Sequence, residues 1–123
     1  MKKLQWIALF FISTSLFANI CPTAQAIQQK IQFDVVIPYQ SGWNVGQYSN
    51  TFDTSDTWSF EFIGLPGEDA DSALQNAKLA LTSLHFEDSH PVPPPRTWAC
   101  IYHGAIGKDN NYLAVMFTPP LVI

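Results

Sequence analysis

The chain has 123 residues, 47% of them hydrophobic and 13% charged, with six basic against ten acidic residues for a net charge of −4. That is enough apolar material for a core, and too little length for a dinucleotide-binding fold with a separate substrate domain, a (β/α)8 barrel or a multi-span membrane protein. The acidic balance excludes a surface that tracks phosphates, so no nucleic-acid partner is expected.

Met1–Lys3 carries two lysines, and Leu4–Phe17 follows as a nearly unbroken apolar run of 14 residues. A basic start before a short apolar run is the layout of a cleavable secretory signal. The run falls short of the roughly 20 residues that span a bilayer, so no stable membrane anchor remains after removal. Two cleavage points compete, after Ala18 and after Ala26. The first leaves residues 19–123 as one small domain holding Cys21 and Cys100, and the second discards Cys21 and leaves a single thiol. An even cysteine count suits an oxidising compartment, so we place the signal at residues 1–18, the mature chain in the periplasm or outside the cell, and a disulfide between Cys21 and Cys100. Such a bridge closes a loop of about 80 residues, which the chain-entropy argument values at roughly 4 kcal/mol. Residues 19–123 keep four basic residues against ten acidic ones, a net charge of −6.

Cys21–Lys30 predicts a short helix with Pro22 in its first turn, where a missing N–H is harmless. Ile31, Phe33, Val35 and Ile37 alternate with Gln32, Asp34 and Val36 as a half-buried strand that Pro38 ends, before a turn at Tyr39–Gly42. Trp43–Tyr48 and Trp58–Ile63 predict the second and third strands. Ser49–Thr57 joins them as a hairpin loop rich in Asn, Asp and Ser. After a break at Gly64–Gly67, Ala70, Ala73, Leu74, Ala77, Leu81 and Leu84 form one stripe of a helix from Glu68 to Leu84, the acids Glu68, Asp69 and Asp71 favouring its N-terminus. His85–Arg96 predicts a loop, because Pro91, Pro93, Pro94 and Pro95 favour extended polyproline geometry. Thr97–His103 and Asn111–Thr118 are strands four and five, and Pro119-Pro120 stops the last. The expected architecture is a two-layer α+β fold: an antiparallel sheet of about five short strands covered by one long helix, with a short N-terminal helix tied on by the disulfide. A barrel of five short strands is the alternative.

Few residues suggest chemistry. No serine lies in a nucleophile elbow, and Cys100 and His103, three apart on a strand, point to opposite faces. His85-Phe-Glu87-Asp88-Ser-His90 is the one segment rich in metal-ligating side chains, but its spacing lacks the regularity of a zinc motif and a solvated loop explains it. Asp53, Asp56 and Glu61 would suit a glycosidase only if two faced each other, and turn formation accounts for the first two. We therefore assign no catalytic residue, no cofactor and no metal ion.

Three stretches, Cys21-Pro-Thr-Ala-Gln-Ala-Ile27, Ser49-Asn-Thr-Phe-Asp-Thr-Ser-Asp-Thr-Trp58 and Trp98-Ala-Cys100-Ile-Tyr102, resemble a family of small secreted proteins of unknown function from intracellular-living gammaproteobacteria. The resemblance spans most of the mature chain. It implies that Cys21 is retained and paired with Cys100, and it implies no activity, cofactor or catalytic residue.

The sequence thus points to a non-enzymatic exported binding or interaction domain with a protein partner. Its expected contact surface comprises Trp43, Tyr48, Trp58 and Trp98 with Pro93 and Pro94 of the proline loop. A small envelope hydrolase, or an inhibitor of one, is the alternative. The intact mass of protein exported by its own signal is expected to begin at Asn19 and to gain two hydrogens on reduction; a start at Ile27 would overturn both the cleavage site and the bridge.

Overall fold

Six segments pair into one antiparallel sheet in the computed structural model, which describes residues 20–120. The elements in chain order are α1 (Ala24–Lys30), β1 (Val35–Tyr39), β2 (Gly42–Asn50), β3 (Trp58–Leu65), α2 (Ala70–Thr82), β4 (His85–Pro91), β5 (Trp98–Ala105) and β6 (Asn111–Thr118). The strand order is β1-β2-β3-β6-β5-β4. Two three-stranded meanders therefore meet along β3 and β6, and α2 carries the chain from the middle of the sheet to its far edge. The residues assigned to the signal lie outside those described.

Strand alternation divides the sheet into two unlike faces. Val45, Phe60, Phe62, Cys100, Tyr102, Ala114 and Met116 share one face, as their register pairs Val45 with Phe62, Phe60 with Met116 and Tyr102 with Ala114. All seven are completely buried, in one cluster with Ile27 of α1 and with Ala73, Ala77 and Ala80 of α2. Both helices therefore lie on this face. Rings pack edge-on within it, Phe60 against Phe62 at 5.2 Å between centroids and 86° between planes.

Helix α2 begins in a capping box: the Asp69 carboxylate accepts from the Ser72 N–H at 2.9 Å, and the Ser72 hydroxyl accepts from the Asp69 N–H. The backbone hydrogen bond from Ser72, then that from its hydroxyl, hold the Asp69 carboxyl below its usual range. The buried stripe of α2 consists of alanines alone, while Leu74 and Leu81 flank it half-buried and Leu79 is exposed. Small side chains bring the helix axis close to the sheet. A Cβ on Gly104 of β5 would stand 2.3 Å from the Ala80 carbonyl oxygen.

Helix α1 has seven residues, too few to persist alone, and tertiary contacts hold it in place. Thr23 caps it, Cys21 is joined to Cys100 across 79 positions of sequence, and the Tyr102 hydroxyl donates to the Pro22 carbonyl. Gln28 Nε2 donates to the Leu81 carbonyl of α2 at 2.9 Å. The disulfide expected from the cysteine count is present, and the composition is α+β.

The expected architecture is otherwise overturned. The sheet has six strands where the pattern predicts about five, and it carries two short helices of 7 and 13 residues in place of one long covering helix. Neither a single-helix cover nor a five-stranded barrel describes it. A 13-residue helix is about 20 Å long and about 10 Å wide, whereas six strands spaced about 4.8 Å apart span about 24 Å. The predicted helix of 68–84 is shorter because Asp69 caps it and Ser83 ends it. The sixth strand is β4, within the stretch read as a loop. Proline is excluded from central strands but tolerated on an edge, and β4 is an edge strand with Pro91 as its last residue. The other edge, β1, likewise includes Pro38. The alternation assigned to Ile31–Ile37 also fails as one strand: Ile31, Phe33 and Val36 pack against the core, whereas Ile37 is exposed.

Gly104→Ala is expected to lower stability by about 2 kcal/mol, as overpacking against backbone does, in urea unfolding of the oxidised protein. Leu79→Ala on the outer side of α2 is expected to change it by less than about 0.5 kcal/mol.

Candidate functional site

The second face of the sheet is the candidate site, since no helix among the described residues lies over it. Its side chains follow from the register: Ile37 opposite Asn44, Gly46 opposite Glu61, Glu61 opposite Val115, Ile101 opposite Val115, and His85 opposite His103 opposite Leu113. Ile37, Tyr39 and Leu113 are exposed on this face, 38%, 42% and 39% respectively. Ile63, Ile101, Val115 and Phe117 are half-buried. A sheet face turned to water normally alternates to polar side chains, and this one is largely apolar.

Two polar groups interrupt it. The first is centred on Glu61 of β3, only 6% exposed. Its Oε1 accepts from Asn44 Nδ2 at 3.1 Å and its Oε2 from the Tyr48 hydroxyl at 2.7 Å. Asn44 also accepts from the Gly64 N–H at 3.0 Å through Oδ1. Gly64 has a φ of 70°, and it falls where the β2–β3 register shifts by one residue. Asn44 thereby links the bulge to the buried carboxylate. Burial first, and then the hydrogen bond to Glu61, push the Tyr48 phenol up to about 12, so it stays a donor. Both Glu61 oxygens are held, and the group ties neighbouring positions of β2 and β3 together as a structural clasp.

The second group lies at the far edge, where His85 and Glu87 of β4 meet His103 of β5. His85 Nε2 is 3.1 Å from Glu87 Oε1, and His103 Nδ1 is 3.2 Å from the same oxygen. His103 Nδ1 is shielded from solvent, yet it is not aligned for a hydrogen bond. The two rings stack at 6.0 Å between centroids and 28° between planes. A bulge between Phe86 and Asp88 falls at Glu87. This trio is the tightest set of metal-capable groups among the described residues, its donor atoms all within 4.8 Å of one another.

Of the residues singled out from sequence, Tyr48 lies on this face, and Pro93 and Pro94 are exposed in the loop joining β4 to β5. Trp43, Trp58 and Trp98 are on the helix side. Trp58 is fully buried, with Nε1 donating to Thr54 Oγ1 at 2.9 Å. Trp43 donates to the Gly67 carbonyl at 2.9 Å. Trp98 is half-buried and lines a cleft of about 530 Å³ with Ser55, Asp56, Thr57, Thr97 and Thr118. The six expected residues therefore do not form one patch. Glu61 is separated from Asp53, whose nearest cation is Lys30 at 3.9 Å. Cys100 and His103 point to opposite faces as strand spacing requires, and Cys100 is consumed by the disulfide. The ligand-rich segment from His85 to His90 does not converge on itself: His90 sits opposite Ala99, and the third member is His103, which only strand pairing could identify.

No protein-family model matches the chain, and no curated protein or solved structure is similar to it. Among the described residues no helix is long and apolar enough to cross a membrane.

Tyr48→Phe is expected to cost about 1–3 kcal/mol in urea unfolding at pH 7, since it strips one partner from a buried carboxylate. A phenol raised in the folded state favours folding fully below pH 10 and loses that contribution as pH climbs through about 12. The stability of the unsubstituted protein should therefore fall across that window, and Tyr48→Phe should flatten the fall; an identical alkaline profile would remove Tyr48 from it.

Proposed function

We propose that the mature chain is an exported, non-enzymatic binding domain that meets a protein partner through the uncovered face of its sheet. One observation carries this reading: the face opposite the helices presents Ile37, Tyr39 and Leu113 to solvent beside the half-buried Ile63, Ile101 and Val115. Exposed apolar side chains gathered on one sheet face mark an interaction site more often than an accident of folding. The edge strand β4 adds His85, Glu87, Asp88 and His90 beside it, giving an apolar centre with a polar margin, as protein interfaces have. A net charge of −6 on residues 19–123 favours a partner that offers basic groups around its own apolar patch.

Export is supported by the signal-like first 18 residues and by a disulfide compatible with an oxidising compartment. Against a hydrolase, two of the groups that could act on a substrate are already engaged. Cys100 is bridged and Glu61 is held by Asn44 and Tyr48.

Site-specific photo-crosslinking in the exporting cell tests the reading. A photoreactive side chain at position 113, on the uncovered face, is expected to give a discrete protein adduct, and one at position 79, more exposed on α2, is expected to give none. Adducts of equal yield from both positions, or none from position 113, would refute it.

A further inference from the structure

We infer that His85, Glu87 and His103 form a binding site for a single divalent transition-metal ion, zinc being the ion their chemistry fits. Two imidazoles and one carboxylate are a borderline-soft donor set suited to zinc and unsuited to calcium or magnesium. Donor atoms on a tetrahedral zinc with bonds of about 2.0–2.1 Å stand about 3.3 Å apart. Two of the separations match this, 3.1 Å from Glu87 Oε1 to His85 Nε2 and 3.2 Å to His103 Nδ1, and all three donor atoms lie within 4.8 Å of one another.

The hydrogen-bond accounting leads to the same place. His85 Nδ1 lies 3.3 Å from the Ser83 carbonyl and its Nε2 lies 3.1 Å from the Glu87 carboxylate, so both ring nitrogens face groups that can only accept. A neutral imidazole has one ring proton for these two acceptors, and a cation between Nε2 and the carboxylate would let that proton serve Ser83. His103 Nδ1, out of solvent and without an aligned partner, faces the same oxygen. With an ion on Nε2, the Ser83 carbonyl would accept from Nδ1 and orient the ring, the role that outer partners play for metal-ligating histidines.

The fold supplies these positions from rigid elements. His85 and His103 are direct cross-strand partners, and the β4 bulge falls at Glu87. Three protein ligands leave a fourth position for water, or for a donor from whatever occupies the uncovered face. The ion would pin the edge strand β4 to β5. The inference stands apart from the identity of any protein partner.

The test is a ZnCl₂ titration of the ¹⁵N-labelled, disulfide-oxidised mature protein, following the ring nitrogens of its three histidines. Isothermal titrations are run in parallel with His85→Ala, His103→Ala, Glu87→Gln and His90→Ala. One zinc per chain is expected, with large shifts at His85 Nε2 and His103 Nδ1 and none at His90. The first three substitutions are expected to weaken binding by about tenfold or more, while His90→Ala leaves it unchanged. Ring shifts in the unsubstituted protein decide the matter even if a variant fails to fold. Absence of saturable binding, shifts of equal size at His90, or a His85 ring that stays doubly protonated as zinc is added would each overturn the site. The last result would show that a proton, and not a metal, holds the trio together.

Discussion

The seating of α2 on β5 is the contact on which the rest of the molecule depends. Ala73, Ala77 and Ala80 are fully buried, and Gly104 lets the helix backbone approach to a distance that one extra carbon would prevent. This places α2 close above Phe60, Phe62 and Tyr102, whose rings supply the volume that the alanines lack. Large residues are thus on the sheet and small ones on the helix, and such a division fills the layer between them at interior density. It also consumes the helix: with its buried stripe committed to one face, α2 has nothing with which to cover the other.

The disulfide reinforces the same asymmetry. Cys100 points toward the helices, so bridging it to Cys21 draws α1 onto the face that α2 already occupies. Gln28 and the Pro22 carbonyl then tie α1 to Leu81 and Tyr102. Among the described residues, both helices, the disulfide and the ties from Gln28 and Tyr102 act on one side of the sheet. The face left over carries Ile37, Leu113 and Val115, and it is where both polar groups of interest are found.

Those two groups differ in what they can still do. Around Glu61 the donors and acceptors are matched: two donors for two oxygens, and the remaining Asn44 oxygen on a backbone N–H. A satisfied buried network rigidifies its surroundings and offers little to a ligand. Around Glu87 one oxygen faces two ring nitrogens, and one of those nitrogens has no aligned hydrogen bond. Incomplete matching on a rigid strand pair distinguishes a site prepared for something further from one that is finished.

Several features were legible in the sequence because they depend on neighbours a few positions apart. The β2–β3 hairpin, the two C-terminal strands, the buried Ala73 and Ala77 of α2, the opposite facing of Cys100 and His103 and the cysteine pairing follow from local periodicity, turn chemistry or counting, whereas the predicted stripe omits the buried Ala80 and includes Ala70, which is exposed. The prolines after His90 misled, since their effect depends on whether a strand is central or at an edge, and edge position is a property of the assembled sheet. The same holds for Trp43, Trp58 and Trp98: composition identifies them as aromatic, but only the register assigns them to the helix side. His103 joined His85 and Glu87 across a strand pair separated by the proline loop, a contact that no spacing encodes. The sequence by itself determined which segments are amphipathic, a short-range fact of the chain, and which cysteines can pair, because residues 19–123 hold two. Tertiary structure alone decided that both helices of the described residues pack on one face of the sheet, because that choice is made where α2, the disulfide and six strands compete for the same buried surface.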